Sequence, residues 1–156
     1  MNRPKPLAAE AGPRAGDVLP VRRWTVGKDD LLRFADFLYP ARPDNPQRLG
    51  NPHLDEEYAR KHLYGGLIVD GNQTVALICE MVEDWLPGVE AGAAATEADF
   101  SFPNPCCIGD VIEFHGEVMG TRAGAAQRLV DLKFEARNQH GKLVAVGTLG
   151  AVLPPA

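Results

Sequence analysis

The chain contains little cysteine, and what it contains does not form a metal-binding or disulfide pattern. Three of its 156 residues are cysteines, namely Cys79, Cys106 and Cys107. An odd number leaves one thiol unpaired in any disulfide scheme, and no two of them have the C-x-x-C spacing. The adjacent pair is better explained as small packing residues than as metal ligands. We therefore expect a protein of the reducing cytoplasm without a metal site.

Long apolar runs are also missing. No stretch approaches the roughly 18 consecutive apolar residues of a membrane-spanning helix, and the first 17 residues, MNRPKPLAAEAGPRAGD, lack the apolar core of a secretory signal. Residues 1–16 are rich in Pro, Gly and Ala, so we expect a flexible leader there. Residues 17–156 then have the length of a single domain.

Basic residues are outnumbered by acidic ones. The chain has 16 Lys and Arg against 21 Asp and Glu, a net charge of −5 and a pI of about 5.3. Nucleic acids and anionic membranes select basic surfaces, so neither is expected as the main partner, although a local basic patch is compatible with an anionic ligand. With 45% hydrophobic and 24% charged residues, the composition is that of a soluble globular domain.

The N-terminal half predicts one strand and two helices around a long loop. A first strand is expected within 17–26. Residues 29–38 repeat apolar side chains at helical spacing. Residues 39–52 contain four prolines and predict irregular structure, and a loop of this length is usually functional or mobile. A short helix is expected over 55–62, with Asp55 more suited to its N-cap than to catalysis.

A strongly apolar helix and a set of strands are predicted for the rest of the chain. The helix spans 71–86 and should be buried. Its apolar face comprises Val75, Ile78, Cys79, Val82 and Trp85, widened by Ala76, Leu77 and Met81. Strands are predicted over 98–103, 111–119, 129–138 and 142–152, and apolar and polar residues alternate in 111–119 and 129–138. These elements together indicate an α+β fold, an antiparallel sheet wrapped around one helix.

The segment 51–71, NPHLDEEYARKHLYGGLIVDG, is the most informative one for chemistry. It places His53 after an Asn-Pro turn and Gly71 at the start of the apolar helix. Imidazole titrates near cellular pH and serves as a general base. A backbone N–H at a helix N-terminus can stabilise an oxyanion. This combination suits addition or elimination next to a carbonyl, although His53 also fits a surface or capping role and Gly71 a simple tight turn.

The same segment carries a resemblance to a known family. Together with Phe34-Ala35 in the first helix and Ile108-Gly109-Asp110 before a strand, NPHLDEEYA and the glycine turn resemble the MaoC-like family of hot-dog-fold (R)-specific enoyl-CoA hydratases and dehydratases. In that family an aspartate and a histidine hold the water that adds to an enoyl thioester. The N–H of the helix-opening glycine binds the thioester oxygen.

The resemblance implies a hot-dog fold in which a curved antiparallel sheet wraps around one long buried helix. It also implies His53 and Gly71 as catalytic residues, with Cys79 at the family's small polar position along the helix. The expected substrate is a thioester of CoA or of an acyl carrier protein, and no metal or redox cofactor is implied. Hot-dog domains usually pair through their sheets, so a homodimer or a dimer of dimers is expected.

The sequence departs from the family around the catalytic aspartate. The family has aspartate five residues before the histidine, and Arg48 stands there. We predict that Asp44 fills the role, with its carboxylate within about 5 Å of the His53 ring, the range over which charges interact appreciably. Asp70 stands where the family often has histidine, and it fits either a helix N-cap or a replacement carboxylate. The substrate-binding candidates are Asp70, Gly66, Asn72 and Cys79.

Three functions remain open on the sequence alone. The first is reversible hydration of an enoyl thioester. The second is a hot-dog thioesterase, and the third is a non-catalytic MaoC-like subunit of a hetero-oligomer. A carboxylate beside His53 near the Gly71 N–H supports hydration. A carboxylate alone facing the carbonyl supports thioester cleavage, and a His53 without any acid nearby supports the non-catalytic subunit.

Overall fold

The computed structural model describes Leu7 and residues 12–41, 45–62, 64–92, 96–124 and 127–153. The helices are Lys28–Leu38 (α1), Glu56–Lys61 (α2) and Gly71–Trp85 (α3), with a 3₁₀ turn at Pro46–Arg48. The strands are Arg22–Thr25 (β1), Glu90–Ala91 (β2), Ala98–Ser101 (β3), Val111–Ala123 (β4), Arg128–Asn138 (β5) and Leu143–Val152 (β6).

All six strands belong to one antiparallel sheet. Its order is β1-β4-β5-β6, and β2 and β3 both pair with β6 along its other side. The long strands alternate as predicted, since Phe114, Val118, Leu132 and Phe134 are buried while Lys133 is exposed. The sheet curls around α3, and the predicted α+β architecture is confirmed.

The buried face of α3 differs in part from the predicted one. Ile78, Met81, Val82 and Trp85 are buried as expected, whereas Ala76 is exposed. In the first turn the buried positions are polar instead, namely Gln73 and Thr74. Gln73 packs against α1, where its Nε2 donates to the Asp30 carbonyl oxygen at 3.3 Å. Hydrophobic periodicity could not predict this, because a polar side chain is buried there through a hydrogen bond.

The first strand is shorter than predicted. Only Arg22–Thr25 pairs as a strand with β4, and Val18 forms an isolated bridge with Glu117. Pro20 lies between them and has no N–H to donate to a ladder. The two-residue strand β2 and the 3₁₀ turn within the 39–52 loop were not predicted, whereas α1 and α2 begin and end within one residue of their predicted bounds.

The predicted leader lies mostly outside the described residues, which omit 1–6 and 8–11. Of its described part, Leu7 donates its N–H to the Trp85 carbonyl and Gly16 donates to that of Val118. No helix in the described part of the chain is long and apolar enough to span a membrane.

Candidate active site

His53 is held in one orientation by the turn that precedes α2. Its backbone N–H donates to Asn51 Oδ1 at 2.9 Å. Its ring Nδ1 lies 2.9 Å from the Ile68 carbonyl oxygen. Because a carbonyl oxygen only accepts, Nδ1 must carry a proton, and the neutral ring therefore keeps its lone pair on Nε2. The hydrogen bond to Ile68 thus makes Nε2 the basic atom.

Asp70 places a buried carboxylate against that atom. The residue is 5% exposed and caps α3, where its Oδ1 accepts from the Asn72 N–H at 2.8 Å and from Asn72 Nδ2 at 2.9 Å. Its Oδ2 lies 3.5 Å from His53 Nε2. Asp70 therefore caps α3 and also places a carboxylate next to His53, so it fits both interpretations of the sequence. A distance of 3.5 Å is long for a direct charged hydrogen bond and leaves room for water that contacts both atoms.

Tyr39 is a third member of this cluster. Its hydroxyl donates to Asp70 Oδ2 at 2.8 Å, and its ring lies parallel to that of His53 with centroids 6.5 Å apart. The hydrogen bond to Asp70, followed by burial, raises the pKa of Tyr39 above its ordinary value. The phenol therefore stays protonated at neutral pH and remains a donor. Nothing in the local sequence around Tyr39 singles it out, because the contact spans 31 residues.

Gly71 contributes a free backbone donor at the start of α3. The Asn72 N–H is capped by the Asp70 side chain, and the N–H groups of Gln73 and Thr74 donate to the Asp70 carbonyl. The Gly71 N–H has no acceptor among the described residues. It belongs to the helix terminus where partial positive charge collects. A Cβ on Gly71 would lie 2.7 Å from Phe102 Cε2, so any larger residue there would have to displace the Phe102 ring.

His53 and Gly71 line the same cavity, whose volume is about 340 Å³. Apolar side chains, among them Ile68, Phe102 and Val144, make up part of its wall. Cys106 also lines it, and burial raises the pKa of this thiol to about 12, so it is neutral at physiological pH. A cavity with one base, one free backbone donor and apolar walls suits a small acyl group bearing a carbonyl.

The remaining predicted site residues lie elsewhere or outside the description. Asp44 falls outside the described residues, so its predicted proximity to His53 stays a prediction. Asn72 is exposed and binds Asp70, and Gly66 has open space where a Cβ would be. Cys79 lies near Gly92, where a Cβ would be 3.4 Å from its Sγ, and it is not among the residues that line the cavity.

Arg48, at the family's aspartate position, faces α1. It donates to the Asp36 carboxylate at 2.8 Å and to the Tyr39 carbonyl oxygen. It therefore ties the loop to the C-terminal end of α1. The structure brings together His53, Asp70, Gly71 and Tyr39, of which Tyr39 was not foreseen.

Comparison with known sequences identifies the family. Residues 51–139, which are 89 of the 156 residues, match the profile described as MaoC like domain. The chain belongs to the MaoC-like domain family. The match begins at Asn51, so it includes His53, Asp70 and Gly71 but not the loop that contains Asp44 and Arg48. No match was found among curated protein sequences.

Solved structures agree with the hot-dog fold of this MaoC-like domain. The (R)-hydratase from A. caviae involved in PHA biosynthesis aligns with a TM-score of 0.72 at 21% identity, over 92% of this chain and 99% of that one. The MaoC-like dehydratase from Rhodospirillum rubrum aligns with a TM-score of 0.67 at 27% identity, over 91% of this chain and 94% of that one. The ChsH1-ChsH2 complex from Mycobacterium tuberculosis aligns with a TM-score of 0.71 at 19% identity, over 90% of this chain and 98% of that one.

Proposed function

We propose that this MaoC-like domain reversibly hydrates a trans-2-enoyl thioester to an (R)-3-hydroxyacyl thioester. The observation that carries the proposal is the placement of His53 Nε2 at 3.5 Å from Asp70 Oδ2. His53 shares a cavity with Gly71, whose N–H has no acceptor among the described residues. A base, an acidic partner and an oxyanion donor are the three groups that conjugate addition of water requires.

The reaction follows from these positions. Water bound between His53 Nε2 and Asp70 Oδ2 attacks C3 of the enoyl group while Nε2 takes its proton. The electron pair of the C2–C3 double bond moves towards the carbonyl, and the enolate oxygen that forms accepts from the Gly71 N–H. The proton on Nε2 then passes to C2, which restores the base. The reverse sequence eliminates water, and neither direction involves a net oxidation.

Asp70 takes over, in this proposal, the part of the aspartate that the family carries before its histidine. Water needs two acceptors to fix its orientation, and one imidazole supplies only one. Asp70 is buried, is held by Asn72 and lies beside the basic nitrogen. Asp44 is the competing carboxylate, and the two are separated by the paired variants described in the Discussion.

The substrate handle is proposed to be CoA or the pantetheine of an acyl carrier protein, and the assembly a homodimer or a dimer of dimers. One observation favours a second candidate, a non-catalytic subunit. Arg48 occupies the family's aspartate position and is engaged with α1. The position of Asp70 against His53 weighs against that candidate, because it supplies a carboxylate by another route.

A single assay separates these functions. Crotonyl-CoA is incubated with the purified protein, and the enoyl absorbance and the release of free thiol are followed together. Loss of absorbance without thiol supports hydration, and the product is then tested for (R) configuration. Thiol release in proportion to the lost absorbance supports a thioesterase, because cleavage of the thioester also removes the conjugated chromophore. Absence of both changes, with crotonyl-CoA and with longer enoyl-CoA esters, supports the non-catalytic subunit.

A further inference from the structure

The Asp70 carboxylate is held at both of its oxygens, and each oxygen has different partners. Oδ1 accepts two hydrogen bonds from Asn72. Oδ2 accepts the Tyr39 hydroxyl at 2.8 Å and faces His53 Nε2 at 3.5 Å. Asn72 ties the carboxylate to its own helix, whereas Tyr39 reaches it from the end of α1. Within the described part of the chain, no other side chain donates to Oδ2.

We propose that Tyr39 is a positioning residue of this site, whose hydroxyl fixes Asp70 Oδ2 in the orientation that faces His53 Nε2. The inference rests on the proposed function. A hydroxyl that donates to a carboxylate stabilises its charged form and occupies one of its lone pairs. The other lone pairs of Oδ2 remain for the water between Asp70 and His53. Without the hydroxyl, this oxygen would lose a fixed neighbour and part of its charge stabilisation.

Tyr39 is itself held in place by the residue that departs from the family pattern. Its backbone N–H donates to the Ala35 carbonyl at 2.8 Å, which ends α1. Its carbonyl oxygen accepts from Arg48, whose guanidinium also binds Asp36 at 2.8 Å. Arg48 cannot act as the acidic partner, but it anchors the residue that holds the replacement carboxylate. The unusual Arg48 and the unusual Asp70 are thus linked through Tyr39.

The test compares Tyr39→Phe with the wild type, using crotonyl-CoA. Loss of one hydrogen bond to a charged group should lower kcat about 10- to 100-fold, with KM changed less than about twofold because the acyl group is not contacted. Tyr58→Phe is the matched control, because the Tyr58 ring lies in α2 and stacks on His62 at the C-cap of that helix. This variant should leave kcat and KM unchanged.

A second measurement does not depend on activity. Phenol ionisation is followed by ultraviolet absorbance in the wild type and in Asp70→Asn. In each case the Tyr39 signal is isolated by subtracting the titration of the same protein that also carries Tyr39→Phe. Because Asp70 raises the pKa of Tyr39, the asparagine variant should ionise at lower pH. A Tyr39 titration unaffected by Asp70→Asn, or a Tyr39→Phe variant with wild-type kcat, would overturn the inference. A wild type that hydrates no enoyl thioester would overturn the proposed function and the positioning role with it, even where the titration shows the contact.

Discussion

At the level of single residues, the proposed site contains one carboxylate with two sets of contacts. Asp70 caps α3 through Oδ1 and faces His53, the proposed base, through Oδ2. A side chain that fixes a helix terminus is already rigid, so its second oxygen is preorganised at no further entropic cost. The two roles are separable by substitution, because capping needs only an oxygen whereas holding and polarising water needs a negative charge.

Asp70→Asn should lower kcat by about two orders of magnitude or more, the usual size of an acid–base contribution, with little change in melting temperature. Asparagine caps helices as well as aspartate does. Asp70→Ala should lose the cap as well and cost about 1 kcal/mol of unfolding free energy. Asp44→Asn is the matched control in the same assay. Loss of activity in Asp44→Asn, with Asp70→Asn fully active, would assign the role to Asp44.

His53→Ala should lower kcat by about two to four orders of magnitude, because the variant lacks the only proposed base. The unfolding free energy should change little, since the ring is only partly buried and bonds a single carbonyl. Turnover of crotonyl-CoA and thermal melting measure the two effects. His140→Ala, in an exposed turn, is the control. A His53→Ala variant with full activity would remove His53 from the mechanism.

Local sequence predicted some of these residues and missed others for a physical reason. The Asp55 N-cap is confirmed, because the Tyr58 N–H donates to its side chain three residues away. The contact between Tyr39 and Asp70 joins residues 31 positions apart. It depends on how α1 packs near the start of α3, which no local pattern encodes. Sequence therefore identified His53, Gly71 and Asp70 as candidates, whereas Tyr39 and the contacts among these residues required the fold.

At the level of elements, the start of α3 is shaped by the ring of Phe102. A Cβ on Gly71 would lie 2.7 Å from Phe102 Cε2, closer than real Cβ contacts. Gly71→Val should therefore push the ring aside or into the cavity and abolish turnover of crotonyl-CoA. Gly120→Ala is the control, because a Cβ there meets no atom within 4 Å. Full activity in Gly71→Val would contradict the oxyanion role. It would show that the thioester does not bind close to this residue.

A second glycine lets two strands approach each other. A Cβ on Gly147 in β6 would lie 2.0 Å from the Asp99 carbonyl oxygen and 2.8 Å from Phe100 Cα in β3. Both contacts are with backbone, so relief requires the strands to separate. Gly147→Ala should lower the unfolding free energy by about 1–3 kcal/mol or more, the range for overpacking. Denaturant unfolding measures this, with Gly120→Ala as the same control, and an unchanged midpoint would contradict it.

Elements with a regular pattern or a clear cap were predicted from the sequence. The apolar repeat of 71–86 and the alternation of 129–138 each match an observed element within a residue or two. β2 has only two residues and carries no periodicity. The first strand was predicted too long because the pattern of 17–26 contains apolar residues on both sides of Pro20.

At the level of the whole molecule, the meander of β4, β5 and β6 was foreseeable, whereas the positions of β1 and β3 were not. Neighbouring strands joined by short turns usually pair, as β5 and β6 do across the turn after Asn138. β1 pairs with β4 from more than 80 residues away, and β3 pairs with β6 rather than with β4. These pairings depend on the sheet closing around α3, which both the order of the predicted elements and the family resemblance indicated.

The sheet ends at an edge that bears on assembly. β2 and β3 pair with β6 on one side and have no partner strand on the other among the described residues. The Glu97 carbonyl accepts from the Gly150 N–H at 2.8 Å, and hydrogen-bonding direction alternates along an antiparallel strand. Ala98 therefore directs its N–H away from β6, towards this outer edge. An exposed edge of this kind is a template for pairing with a second chain.

We expect the protein in solution to be a dimer of about 34 kDa, twice the 16.9 kDa chain, or a dimer of such dimers, joined along β3. Light scattering after size exclusion measures the mass. Ala98→Pro removes the outward N–H without breaking the ladder to β6, because proline is tolerated where its N–H would face away from the sheet. This variant should shift the mass towards that of a single chain while its melting remains cooperative. Ala98→Ser keeps the N–H and should retain the wild-type mass. A wild type with the mass of one chain would exclude the dimer, and a proline variant that stays dimeric would place the interface elsewhere.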